Sequence, residues 1–111
     1  MTHDSLPPVV EEYFTLMDGD DKLAVAALFA PGAYVVDKGT SYRGDVEIRS
    51  WLSGEASEFT TTSRRLMTEN AGSSVMVVLR VEGDFPGGLV DLTIDFLLDS
   101  AERIRGLTIT A

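Results

Sequence analysis

Ala33-Tyr34-Val35-Val36-Asp37 follows Pro31-Gly32 and leads into Lys38-Gly39-Thr40-Ser41, and it reads as a short strand between turn signals. Alternation puts Ala33, Val35 and Asp37 on one face and Tyr34 and Val36 on the other. If the first face meets the flanking helices, a carboxylate is carried to the edge of an apolar interior, where loss of solvent raises its pKa and makes it a usable base. If the second face does, Asp37 is a solvated strand end. Both readings stay open on the residues alone.

Upstream of this strand, residues 1–7 read as a lead-in, and Pro8 suits the first position of a helix. Val10, Tyr13, Phe14 and Met17 recur at i, i+3, i+4 and i+7 as one apolar stripe, with Glu11 and Glu12 in the first turn and Gly19 expected as a left-handed cap. Asp20 is the expected N-cap of a second short helix running to about Phe29, with Leu23, Ala24, Ala27 and Leu28 as its buried side. Downstream, the Lys-Gly-Thr-Ser stretch reads as a loop. Gly44 then serves as N-cap for a third helix, Asp45 to about Ala56, with Ile48, Trp51 and Leu52 facing the core.

From Glu58 onward β-branched residues alternate between regularly spaced turns, which predicts an antiparallel meander of strands near 58–69, 74–83, 89–98 and 103–110. Val75, Val77, Leu79 and Val81, with Leu92, Ile94, Phe96 and Leu98, are the expected inward set. Three helices followed by a curved, mainly antiparallel sheet that wraps them make an α+β domain spanning 1–111.

Composition narrows the function classes. With 18 acids against 9 bases the formal charge is −9, which repels phosphate backbones and anionic headgroups, so neither nucleic acid nor a membrane surface is an expected partner. The absence of cysteine excludes thiolate nucleophiles and Cys-ligated metals, and one histidine, His3, cannot build a multi-histidine site. No cofactor or metal is called for. Asp18-Gly19-Asp20-Asp21 reads as capping chemistry because it lacks the ligand spacing of a calcium loop. The N-terminus has no basic-then-apolar pattern, so the expected location is cytoplasmic.

Val9-Val10-Glu11-Glu12-Tyr13-Phe14, Asp18-Gly19-Asp20, Ala27-Leu28-Phe29-Ala30-Pro31-Gly32-Ala33, Tyr42-Arg43-Gly44 and Ile48-Arg49-Ser50-Trp51-Leu52 together resemble the SnoaL-like branch of the nuclear transport factor 2-like superfamily, which is related to ketosteroid isomerases. Gly83-Asp84-Phe85-Pro86-Gly87 and Val90-Asp91-Leu92-Thr93 extend the similarity over nearly the whole chain. The resemblance implies a cone-shaped roll, its three N-terminal helices packed in the concave face of the sheet around a pocket open at one end. It spans isomerases, dehydratases, cyclases and proteins without chemistry, so function must come from the pocket.

Isomerase-like members use a strand-end aspartate to move a proton next to a carbonyl and a tyrosine of the first helix to stabilise the enolate. By spacing from the shared landmarks, Asp37 and Tyr13 match those catalytic positions. A second, protonated acid in such isomerases falls at Ile94 here, with Asp95 on the opposite face. Tyr13 also has a plain reading as a core residue of its stripe. Phe29, Val35, Trp51, Phe85 and Ile94 are the expected ligand-bordering residues; Phe85, in a turn, can cover the pocket mouth. Tyr34 and Tyr42 read as surface or rim, and Arg64 and Arg65 point to opposite faces of one strand.

Two function classes follow. The first is a binder of a small apolar or carbonyl-bearing ligand, acting on it as a cofactor-independent isomerase or lyase. The second is a non-enzymatic binding or dimerisation module with a vestigial pocket. A homodimer through the outer sheet face is expected in either case, since Met76, Val78 and Leu97 interrupt an otherwise polar face.

Overall fold

The computed structural model describes residues 6–19 and 21–111. Expectations for His3 and for Asp20 as an N-cap fall outside them. In chain order the elements are α1 (Pro8–Met17), a 3-10 segment (Lys22–Leu28), β1 (Phe29–Asp37), β2 (Thr40–Arg43), α2 (Gly44–Ser53), a 3-10 turn (Glu55–Ser57), β3 (Thr61–Ala71), β4 (Ser74–Gly83), β5 (Leu89–Leu98) and β6 (Ile104–Thr110). The strands form one six-stranded sheet in the order β2-β1-β6-β5-β4-β3. Every neighbouring pair is antiparallel except β1 and β6, which run parallel. Among the described residues no helix is long and apolar enough to cross a membrane.

The meander forms because its turns and its alternation agree. Gly72 takes φ 70° between β3 and β4, and Gly87 and Gly88 take φ 90° and 70° between β4 and β5, conformations open to glycine without steric cost. Along β4, Val75, Val77, Leu79 and Val81 are buried while Met76, Val78 and Arg80 are only half-buried. On β5, Ile94, Phe96 and Leu98 face the same way. These side chains share one core with Val10 and Tyr13 of α1, Val25 and Ala26 of the 3-10 segment, and Ile48, Trp51 and Leu52 of α2.

Several local expectations are corrected. The segment after Asp21 is a 3-10 helix, whose period of three residues per turn buries Val25 and Ala26 and leaves Leu23 and Ala27 exposed, unlike the stripe expected at α-helical spacing. Phe29 begins β1 instead of ending that helix, and Pro31-Gly32 lies inside the strand, where the pairing with β6 shifts register between Phe29 and Tyr34. Gly19 is not left-handed; α1 closes through the Asp18 N–H on the Phe14 carbonyl and the Gly19 N–H on that of Leu16.

The stretch read as a loop after Asp37 contains a strand. Lys38 and Gly39 both have positive φ, 51° and 79°, the two-residue turn that joins right-twisted strands, and Asp37 then pairs with Thr40 and Val35 with Tyr42. At the start of α2, Gly44 has φ 83° and the Glu47 carboxylate reaches back to accept the Arg43 N–H at 2.8 Å. The helix stops at Ser53, three residues short of the expected end, and β3 starts at Thr61 instead of near 58.

Candidate functional site

Alternation on β1 settles the first open question: Ala33, Val35 and Asp37 face the core. Asp37 is 8% exposed, the one buried charged residue among those described. The apolar stripe of α2 turns Trp51 toward it, and Trp51 Nε1 donates to Asp37 Oδ2 at 3.0 Å. Burial pushes the Asp37 pKa up; the Trp51 hydrogen bond opposes the rise, Glu55 adds to it, and Lys38 opposes it. The net direction is upward.

Tyr13 reaches the same region from α1. Its ring meets Phe14 and Phe96 edge-on, each at 5.2 Å between centroids, which fixes the side chain in one orientation. Burial, and then the Asp37 charge, raise the phenol pKa above its ordinary value, so the hydroxyl keeps its proton as a hydrogen-bond donor.

Both side chains line a cavity of about 680 Å³, within the range of small-molecule sites. Its apolar wall comes from the inward residues of β4 and β5, Leu79, Val81, Val90, Leu92 and Ile94. Phe85 closes one side: its ring lies 5.9 Å from that of Phe59. The β4–β5 turn carrying Phe85 is clamped to the entry of β3 by Asp84, which accepts the Thr60 N–H at 2.9 Å and donates its own N–H to the Thr60 carbonyl at 3.3 Å. Lys38 and Glu55 also contribute to the wall, 3.8 Å apart, with Tyr42 donating to Glu55 at 3.0 Å.

The expected site residues Tyr13, Asp37, Trp51, Phe85 and Ile94 therefore border one cavity. Phe29 and Val35 do not. Phe29 pairs with Ile104 beyond the register shift in β1, and Val35 is completely buried; both sit in packed core away from the cavity wall. Ile94 is buried on that wall, and Asp95 is exposed. Arg64 and Arg65 are exposed, Arg65 pairing with Glu11 at 3.3 Å, and neither enters the cavity. Glu55 and Lys22 border the cavity without having been singled out from the sequence. Glu55 follows Trp51 by four residues, a spacing that could have flagged it; Lys22 offers no such signal, since its ammonium is placed by the Ala56 carbonyl at 3.1 Å, a contact distant in sequence.

No protein-family model and no curated sequence matches the chain. Solved structures do. A candidate polyketide cyclase from Sinorhizobium meliloti is 31% identical, with a TM-score of 0.88 over 99% of this chain and 100% of that one. The chain belongs to the SnoaL-like branch of the nuclear transport factor 2-like superfamily. Two more distant structures share the fold of this SnoaL-like protein: a ketosteroid isomerase-like protein from Catenulispora acidiphila in complex with trimethylamine, at 18% identity and TM-score 0.83 over 96% of this chain and 87% of that one, and a Δ5-3-ketosteroid isomerase from a Mycobacterium species, at 17% and 0.77 over 93% of this chain.

Proposed function

We propose that this SnoaL-like protein binds a small apolar, carbonyl-bearing molecule in its cavity and moves a proton on it without a cofactor, as an isomerase or lyase. The observation that carries the reading is a carboxylate, Asp37, buried on the wall of an apolar cavity and held by the Trp51 indole N–H. A carboxylate so placed is a stronger base than one in water.

In the proposed step Asp37 accepts a proton from the carbon next to the carbonyl. The C–H pair becomes the enolate double bond, and the carbonyl pair moves onto oxygen, where Tyr13 donates a hydrogen bond. Protonated Asp37 then returns the proton to another carbon, giving an isomer, or protonates a departing group, giving elimination. Ile94 offers no donor, so the developing oxyanion has one side-chain partner fewer than in isomerases with a second acid, and the rate should be lower by about 10²–10³-fold for that reason. The fold shared with a candidate polyketide cyclase and with a trimethylamine-bound protein agrees with small-molecule binding.

The test is deuterium exchange from solvent into a panel of small ketones. Asp37→Asn should slow exchange by about 10²–10⁴-fold, the usual worth of a positioned base. Equal exchange by both proteins would remove Asp37 from the mechanism.

Ile94 favours a second reading, a binding or dimerisation module whose pocket has lost its chemistry. On the outer sheet face Met67 is 50% exposed and pairs with Val78, beside half-buried Met76 and Leu97. This face is the proposed homodimer surface. Light scattering should then give twice the 12.0 kDa chain mass at micromolar concentration, and Val78→Asp should halve it.

A further inference from the structure

Three polar contacts tie the β1–β2 hairpin to the end of α2 and the 3-10 turn after it. Trp51 Nε1 donates to Asp37 Oδ2 at 3.0 Å, Tyr42 Oη donates to Glu55 Oε2 at 3.0 Å, and Lys38 Nζ lies 3.8 Å from Glu55 Oε1. Glu55 thus grips the hairpin twice: at Lys38 in its turn and at Tyr42, which pairs with Val35 across it. The turn needs holding. Lys38, directly after Asp37, has φ 51°, a left-handed conformation that a side chain with a Cβ rarely adopts unless its surroundings hold it there. The Tyr42 ring also lies 6.3 Å from that of Trp51, so the residue that fixes Glu55 backs the one that fixes Asp37.

Resting on the reading of Asp37 as the base, we propose that Glu55 is a positioning residue for Asp37, anchoring the hairpin tip through Tyr42 and Lys38 so that the Asp37 carboxylate stays against Trp51 inside the cavity. Glu55 takes no proton from the substrate. Of its two anchors the Tyr42 hydrogen bond matters more, because Lys38 is 71% exposed and an exposed ion pair is weak. The Glu55 charge has a second effect: a carboxylate on the same cavity wall disfavours ionisation of Asp37, adding to the larger effect of burial, while Trp51 and Lys38 act the other way. Burial, together with Glu55 and Asp37, raises the Tyr42 pKa, and burial with Asp37 raises that of Tyr13, so both phenols stay protonated while Asp37 titrates.

The chain has one tryptophan, so its indole N–H gives a single cross-peak in proton–nitrogen correlation spectra, and that peak reports on Asp37 through the hydrogen bond. Its pH titration should disappear in Asp37→Asn. Glu55→Gln keeps an acceptor for Tyr42 and removes the charge; it should move the titration midpoint to lower pH and lower kcat for ketone exchange severalfold at unchanged KM. Tyr42→Phe keeps the ring and releases Glu55; it should shift the midpoint the same way by less, and it carries the test alone if Glu55→Gln does not fold. An unchanged indole titration in the folded variants overturns the proposal. The spectra need no substrate, so a shifted midpoint in Glu55→Gln alongside equal ketone exchange by wild type and Asp37→Asn would retain the Glu55 contact and reject the base.

Discussion

The inner face of the sheet has two halves built from the same strands. Toward one end, Val75 and Val77 of β4 and Phe96 and Leu98 of β5 are packed shut, Phe96 meeting edge-on, at 5.2–5.7 Å, the rings of Tyr13 and Phe14, which stand at the boundary and also border the cavity. Toward the other, Leu79 and Val81 of β4 and Val90, Leu92 and Ile94 of β5 border the cavity that holds Asp37. The side-chain alternation runs through both halves without a break. An alternating strand specifies which face is apolar, and what covers that face depends on elements far away in sequence.

The largest loss is expected from the closed half. Phe96→Ala removes a fully buried ring and should cost about 3–5 kcal/mol in urea unfolding, as ring deletions in packed cores do. On the outer side of the same region, Gly106 lies under Tyr34, whose ring atoms sit 2.6 Å from where a Cβ would be. Gly106→Ala must displace that ring and should cost about 1–3 kcal/mol, with Tyr34→Ala in the same chain recovering part of the loss. At the open half, Leu92→Ala only enlarges a space that already exists, and about 1–2 kcal/mol is expected from the lost transfer energy alone. A cost for Leu92→Ala equal to that for Phe96→Ala would mean that the two halves are packed alike.

The same contrast explains which parts of the molecule were legible in the sequence. Strands β4 and β5 match their expected bounds because alternation and turn glycines agree over ten residues each. The inward turn of Tyr13 and Trp51 follows from the apolar stripes of their own helices, whereas alternation left Asp37 open between the two faces of its strand and only the family resemblance paired it with Tyr13. Strand β2 was missed because Lys38-Gly39 lacks the asparagine or aspartate that usually marks a left-handed two-residue turn. The phase of the 3-10 segment was missed because apolar residues at nearly every position fit a period of three as well as 3.6. The wall contributed by Glu55 and Lys22, and the withdrawal of Phe29 and Val35 from it, depend on the register shift in β1 and on contacts between distant segments.

Central to this account is a carboxylate held in an apolar cavity against its own preference for water. Burial lifts the folded-state pKa of Asp37 above its ordinary value of 3.8. Between those two values the folded chain binds more protons than the unfolded one, so the stability this group contributes is intact below the ordinary value and is lost as pH rises through the folded one. Asparagine carries no charge and escapes the loss. The direct measurement is the unfolding free energy of wild type and Asp37→Asn from pH 3 to pH 8. The difference should move in favour of Asp37→Asn as pH rises and level off once Asp37 is ionised. A difference that stays flat, or that moves in favour of the wild type with rising pH, would contradict it.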